Sequence, residues 1–563
     1  MRISLKIILL AAIFTIRIAR AGDLPDAGHL LKESAPPSTF APQPAPPEFQ
    51  TPQNPVAAKT DGVKIKISGF RFTGNTIFST EQLAALLANY GGNELTLAEL
   101  DIAAATITNA YRKKGYFLAS VVVPPQTMKQ GDPVTLDISE GVLETIRIAT
   151  TPATTRTRRS ILESYARQLP ENQPLNDGSL TSMVMRTNEL PNISSRILLA
   201  PGSRSGTTAA TLEVSEGKPY SFSLALDSYG DEATGKNHIA LTMDLFSPLR
   251  VADQLTLRMQ TSTTGDFKQL HAGYTIPLLP YGTIISATCT GITYQSGGLF
   301  KALQANGTAN NLTLSVTQPL VRQRNLILNA TVAGEARVLD DRVESTPSRT
   351  RRLNGSCQAG VSGMAMDTIL GSEATTSLSL GVVGGRLSIT DAESLALDQA
   401  STGLQTNGNY AKFSITAART QRLYRALSLY AGSYAQWSKK NLNSSEQLSL
   451  SGQSAVRAWQ ASALSTDSGA VSTAELRYLF GAIEELPGTL ELSVFVDHGY
   501  GALHANPLPD GGSNLCAITG AGVGVKWFEN NNFSLQATAA WKIAGENAAR
   551  EGALVYAQFV KKF

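Results

Sequence analysis

Cysteine is almost missing: Cys289, Cys357 and Cys516 are the only three in 563 residues. An odd number at such wide spacing fits neither a disulfide framework nor a zinc pattern. His29, His238, His271, His498 and His504 form no cluster at ligand spacing, so no metal is expected. An excess of one charge is missing too, since 48 Lys and Arg stand against 45 Asp and Glu. Four of the basic residues (Arg2, Lys6, Arg17, Arg20) lie in the first 21, and without them the balance is 44 against 45. Nucleic acid is therefore not an expected partner. No apolar run reaches the roughly 18 residues of a membrane-spanning helix. Also absent are a G-x-S-x-G elbow, an H-E-x-x-H pair and a P-loop, and the GAGVG stretch Gly520 to Gly524 alternates like a strand with no helix behind it. Neither catalysis nor a cofactor is expected.

What is present divides the chain into zones. Residues 1–21 carry basic residues, the apolar run Ile7 to Ile16, and Ala19 and Ala21 around Arg20, which is the order of an export signal; the mature chain would begin at Gly22. Residues 22–34 hold Leu30 and Leu31 behind Pro25 and Asp26, and read either as a brief amphipathic helix or as a disordered leader. Residues 35–60 are proline-rich and predict an extended, semi-rigid tether.

Lys64 to Gly217 predicts mixed α/β structure in two successive units. In the first, IKISGFRFTGN predicts a strand and Ser79 a helix start. Thr96 and Glu99 then form a capping box before Leu100, Ala104, Ile107 and Tyr111, with Gly115 as the C-terminal cap. LASVVVPPQ and PVTLDISEG predict a strand pair. The second unit repeats the order: a strand at TIRI, helices at RRSILESYARQL and LTSMVMRTNEL, and strands at ILLAPG and TAATLEVSEG. Both units end on Ser-Glu-Gly, at 139–141 and 215–217, a repeat of about 75 residues. Two copies of one small module is the simplest account, and one larger α/β domain the alternative.

From Lys218 to Phe563 helical periodicity disappears and segments of about ten residues alternate strictly. HIALTMDLF sets Ile239, Leu241, Met243 and Leu245 against His238, Thr242 and Asp244; QLTLRMQ and FSLQATAAWKI alternate likewise. A soluble sandwich alternates in the same way. The length of the zone favours a membrane barrel of around sixteen strands, as do its short turns, such as that near TQPLVRQRN, set against long polar stretches at Ser296 to Asn310 and Asp340 to Gly355. The chain also stops on a phenylalanine, with Val555, Phe559 and Phe563 on one face.

Several segments resemble the TpsB family of two-partner secretion transporters, which includes the haemolysin secretion/activation proteins. YRKKGYFLASVVVPPQTMKQGDPVTLDISEG resembles the second half of a periplasmic POTRA module of that family. TQPLVRQRNLILNA resembles a barrel hairpin, LSGQSAVRAWQASALSTDSGAVSTAELRY the long loop and following strand, and FVDHGYG the Phe-x-Asp-x-Gly strand motif. One departure is Ala458, where many members have glycine.

The resemblance implies two periplasmic α/β POTRA modules (61–142 and 143–217) followed by a transmembrane antiparallel β-barrel (218–563) in the outer membrane of a Gram-negative bacterium. It implies that residues 22–34 are a leader helix able to plug the pore, and that a loop near 446–470 folds inward. Val456, Arg457, Trp459, Phe495, Asp497 and Gly499 would form its lock. Phe559 and Phe563 would be the C-terminal barrel signal. The implied function is export, without ATP, of a large unfolded TpsA-like exoprotein, with outer-membrane lipid and the barrel-assembly machinery as further partners. An outer-membrane insertase is the alternative.

Alternation in LELSVFVDHGYG bears on the lock directly. Leu490, Leu492, Val494 and Val496 point to lipid, so Glu491, Ser493, Phe495 and Asp497 point into the lumen. A carboxylate there is costly unpaired, and Arg457, set among small and apolar neighbours in QSAVRAWQ, could satisfy it with a bidentate pair. Glu491 is a competing partner, an exposed outer-loop arginine is the other reading, and Arg477 is expected as a further luminal charge.

Overall fold

The first module folds as strand, two helices and two strands. The structure is a computed structural model that describes residues 26–34, 64–150, 155–278, 281–461, 463–481, 487–509, 512–545 and 552–563. The export signal and the 35–60 tether lie outside the described residues. In the module, Val134–Ser139 is the central strand, parallel to Phe70–Thr73 and antiparallel to Ser120–Val122. Helices Thr80–Leu86 and Leu97–Lys113 cover it. The Thr96/Glu99 capping box forms as expected, and Leu100, Ala104, Ile107 and Tyr111 are buried. The stretch expected as one strand, IKISGFRFTGN, is broken in two: Ile65–Lys66 pairs with Glu94–Leu95 and Phe70–Thr73 joins the main sheet.

Residues 142–216 repeat this plan. Thr207–Glu216 is central, parallel to Val142–Thr150 and antiparallel to Ile193–Pro201, with helices Arg159–Ala166 and Asp177–Asn188. The Ser-Glu-Gly repeat has a structural purpose. Glu140, buried in module one, accepts from the backbone N–H groups of Thr76 (2.6 Å) and Ile77 (2.9 Å), and from the Tyr111 hydroxyl (2.7 Å). Glu216, buried in module two, accepts from the N–H groups of Arg156 (2.8 Å) and Thr157 (3.0 Å). Each glutamate thus clamps the loop between first strand and first helix. Burial alone would raise the Glu140 pKa; the donors from Thr76, Ile77 and Tyr111 outweigh it and hold the carboxyl below its ordinary range.

Sixteen strands, from Tyr220–Asp227 to Leu554–Lys562, close into one antiparallel barrel. The last pairs with the first, from Gln558 opposite Asp227 to Lys562 opposite Ser223. The alternating side chains sort as read: Leu241, Met259, Val332, Val382 and Val494 stand exposed on the outer wall. Phe559 and Phe563 lie on that wall too, and the Phe563 N–H donates to the Phe222 carbonyl at 2.9 Å.

The long polar stretches are corrected. Residues 296–310 contain a short 3-10 turn at Gly298–Leu303, after which a strand already begins at Ala305. Across 340–355 only 344–347 separate two strands. Strands Ala305–Gln323, Leu326–Val343 and Ser348–Asp367 have 19, 18 and 20 residues, about twice the 9–11 that cross a bilayer. Polar composition there reflects strand that stands beyond the membrane, where both faces meet water.

The other end of the barrel carries the second module. Arg322, in the strand before the Arg324–Asn325 turn, forms a buried ion pair with Glu189 and donates to Asn329 Oδ1 at 2.6 Å. Thr157 Oγ1 meets Ser247 Oγ at 2.7 Å, and Ala252, in a barrel turn, is buried in the module's own core. Module and barrel therefore share apolar and ionic contacts.

Candidate functional site within the barrel lumen

The connection from strand Leu427–Ser438 to strand Ser468–Leu479 turns inward. Leu448–Ser449 pairs with Ser465–Thr466 as a short stem, and the tip tightens at Gly452, whose φ of 113° favours glycine and whose N–H donates to the Val456 carbonyl at 3.3 Å. Leu450, Val456, Ala458 and Trp459 are buried against Val471, Phe495, Ile518 and Ala540 of the wall. This apolar corner explains the centre of QSAVRAWQ: Ala455, Val456, Ala458 and Trp459 around the arginine are small or apolar because they are packed.

Arg457 enters that corner with its charge fully matched. Its Nε and Nη2 donate to the two oxygens of Asp497, each at 2.8 Å, and its backbone N–H donates to Asp497 Oδ2 at 3.2 Å. Asp497 is completely buried and also accepts from Thr473 Oγ1 at 2.9 Å. The guanidinium carbon lies 3.2 Å from the Phe495 ring centroid, a stacked cation–π contact. The Trp459 carbonyl accepts from the Tyr556 hydroxyl at 3.0 Å, tying the tip to the last strand.

The second partner of Arg457 is Glu475, 3.2 Å from Nη1, and not Glu491. Register explains the difference. Glu475 sits opposite Phe495, while Glu491 is opposite Leu479, six residues from Asp497 and about 20 Å away at the usual strand rise. Arg477 is luminal and holds Glu475 at 3.1 Å, with its guanidinium 4.4 Å from the Tyr430 ring centroid.

Room for the loop comes from missing side chains on the wall. A Cβ at Gly499 would stand 3.1 Å from Val456 Cγ2, and one at Gly520 would stand 2.6 Å from the Ala458 Cβ. The methyl at position 458 therefore fits because position 520 has none.

A second cluster lies at the loop stem, and the sequence reading did not find it. Glu446 is buried and holds Lys412 Nζ at 2.8 Å, Arg337 Nη1 at 2.5 Å and Asn354 Nδ2 at 2.8 Å. Asp467 Oδ1 accepts from the Leu442 N–H at 3.1 Å and from Gln447 Nε2 at 3.0 Å. The other face of this stem seats the helix Ala27–Glu33. Asp26 caps that helix and accepts from Ser444 Oγ at 2.8 Å, while Lys32 Nζ donates to the carbonyls of Ser444 (3.2 Å) and Gln447 (2.5 Å). On the wall side the Ala27 N–H donates to Asp341 Oδ1 at 2.8 Å, and Ala27, Leu30 and Leu31 pack with Phe267, Tyr294 and Leu339. No local pattern in residues 439–447 announces these partners; they come from strands distant in sequence.

Helix and loop thus occupy the lumen together, held by ion pairs and backbone hydrogen bonds. The arrangement positions two segments of the chain inside the barrel.

Comparison with known proteins agrees with this architecture. The profile of the haemolysin secretion/activation protein family ShlB/FhaC/HecB matches residues 206–527, and that of the ShlB-type POTRA domain matches residues 65–141. The chain is 24% identical over 496 residues to the heme/hemopexin transporter protein HuxB of Haemophilus influenzae, covering 87% of this chain and 86% of that one. It is 24% identical over 468 residues to the outer membrane transporter CdiB of Escherichia coli, covering 81% and 76%. The solved structure of CdiB from Escherichia coli superposes with a TM-score of 0.73 at 21% identity, covering 92% of this chain and 94% of that one. A match over more than half of the residues decides membership: this chain belongs to the haemolysin secretion/activation family and is an outer-membrane translocator that exports a partner exoprotein.

Proposed function

We propose that the protein gathers one large, unfolded, TpsA-like exoprotein at its two periplasmic modules and threads it through a lumen that the leader helix and the inward loop close at rest. The observation that carries this reading is the joint occupation of a closed barrel by two segments whose contacts with each other are polar and replaceable. Lys32 and Asp26 bond to main-chain and hydroxyl groups of the loop stem, groups that an extended client backbone could substitute. Strands Ser120–Val122 and Ile193–Pro201 lie at sheet edges, where a client strand could add.

The periplasm supplies no ATP, so client folding outside the cell drives transport, and the protein performs no catalysis. Outer-membrane lipid surrounds the barrel, and the barrel-assembly machinery inserts it by reading Phe559 and Phe563. The Arg457–Asp497 pair keeps the loop docked while the helix leaves.

The test is a client carrying a domain that folds irreversibly before export. The stalled chain should crosslink to luminal positions beside Tyr294 and Leu339, and leader-helix crosslinks to those positions should disappear. Crosslinks confined to the outer wall would contradict the reading.

A further inference from the structure

Five cations stand on the outer wall beyond its apolar band, and no luminal function uses them. Alternation fixes their side of the wall. On Leu326–Val343 the outward Val332 sets Asp340 and Arg342 outward, while buried Leu339 and half-buried Asp341, which accepts from the luminal Ala27 N–H, face in. On Ser348–Asp367 the outward Leu353 and Val361 place Arg349 and Arg351 on the same face. On Ala374–Ile389 the outward Leu378, Leu380 and Val382 place Arg386 there, and Lys439 follows the outward Trp437, with Nζ 5.5 Å from its ring centroid.

Register gives their height. Val382 pairs with Phe413 and Phe413 with Trp437, an apolar and aromatic row of the kind that marks the acyl boundary. Arg386 is two outward positions above Val382. Arg351 is two further above Gly355, the partner of Arg386. With ordinary rise and tilt the patch runs from about 5 Å beyond that row at Lys439, through about 10 Å at Arg386 and about 20 Å at Arg351, to about 25 Å at Arg349 and its partner Arg342. A simple phospholipid headgroup layer is only about 5–7 Å deep.

Charge is only partly compensated on this face. Arg342 and Arg349 share Asp340, and Asp391 caps a helix through the Ser394 N–H. Among the described residues Arg351 and Arg386 have no ion-pair partner, and both are exposed. Guanidinium forks match phosphate oxygens bidentately.

We propose that Arg342, Arg349, Arg351 and Arg386, with Lys439, bind the phosphate groups of a tall phosphorylated glycolipid headgroup in the outer leaflet of the outer membrane. The patch fixes the depth and tilt of this side of the barrel, the side whose strands extend farthest.

The full-length protein in detergent, examined by native mass spectrometry, tests this with three probes: lipopolysaccharide with a phosphorylated core, the same material dephosphorylated, and phosphatidylglycerol. Retention of the phosphorylated glycolipid alone is expected. R351Q/R386Q should weaken that retention by tenfold or more, at about 1 kcal/mol per arginine near a charged lipid surface, and R351K/R386K should keep most of it. Equal retention by R351Q/R386Q, or equal retention of dephosphorylated glycolipid, would overturn the proposal. So would displacement by millimolar inorganic phosphate, which would mark a free-anion site. These side chains face outward and leave the lumen intact, so folding, read by heat-modifiable gel mobility, should be unchanged.

Discussion

The guanidinium of Arg457 lies against the ring of Phe495, 3.2 Å from its centroid, while two of its nitrogens hold Asp497 from the side. Phe495 and Asp497 are neighbours on one luminal face of a single strand, so one arginine meets both at once. Position, ring and carboxylate select arginine over lysine, which has no planar fork.

Replacing Asp497 with Asn should therefore undock the loop tip. Removing one partner of a buried ion pair costs about 3–5 kcal/mol, and retained neutral hydrogen bonds put the change near the lower end. The expected result in a planar bilayer is a noisier, larger conductance than wild type, and Arg457→Lys should resemble it more than wild type. Unaltered channel behaviour in both variants would remove the pair from the gating account.

The fit of Ala458 over Gly520 gives a prediction with an internal control. Gly520→Ala places a Cβ within 2.6 Å of the Ala458 methyl, so it should loosen the loop without touching a charge. Overpacking costs about 1–3 kcal/mol. Combining it with Ala458→Gly should restore docking, read by protection of a cysteine introduced at Ala455, which is buried in the docked loop, from a water-soluble maleimide. Additive damage in the double variant would mean that the two positions do not touch.

Glu446 should govern the leader helix through its seat. Glu446→Gln leaves Lys412 and Arg337 partly uncompensated and shifts the stem carbonyls that Lys32 reaches. Leader-helix crosslinking to Asp341 should fall several-fold while the barrel keeps its heat-modifiable mobility. A barrel that instead fails to close would assign Glu446 to assembly.

How far these sites were legible in the sequence depends on sequence distance. The orientation of Asp497 followed from two-residue alternation, and the helix at 97–113 from a capping box and 3.6-residue spacing, because both are local. The partnership of Arg457 with Glu475 was not legible: it depends on Glu475 lying opposite Phe495, and register across a long connection is set by packing. Ser-Glu-Gly was visible as a repeat, but the clamp made by Glu140 and Glu216 requires knowing which loop folds over each strand end. The stretches 296–310 and 340–355 were misread as loops because strand with two wet faces loses the alternation that marks a membrane strand.

The clamp at Glu140 predicts acid sensitivity of the first module. Its folded pKa lies below the unfolded value near 4.5, so its stabilisation is fully present above that value and is lost as pH falls through the folded one. The protection of the Thr76 and Ile77 amides, taken relative to their intrinsic exchange at each pH, should fall as the solution is acidified below the ordinary carboxylate range. Glu140→Gln should weaken the clamp at neutral pH and flatten this dependence. Protection that stays constant on acidification of the native protein would remove Glu140 as the cause.

The central claim is dedicated export, and the most direct measurement compares the culture medium and the outer membrane of the host with and without this protein, by quantitative mass spectrometry. The account predicts that one large polypeptide leaves the medium while the outer-membrane barrels keep their abundance, and that wild-type protein restores it. A general fall in outer-membrane barrels with an unchanged medium would contradict it.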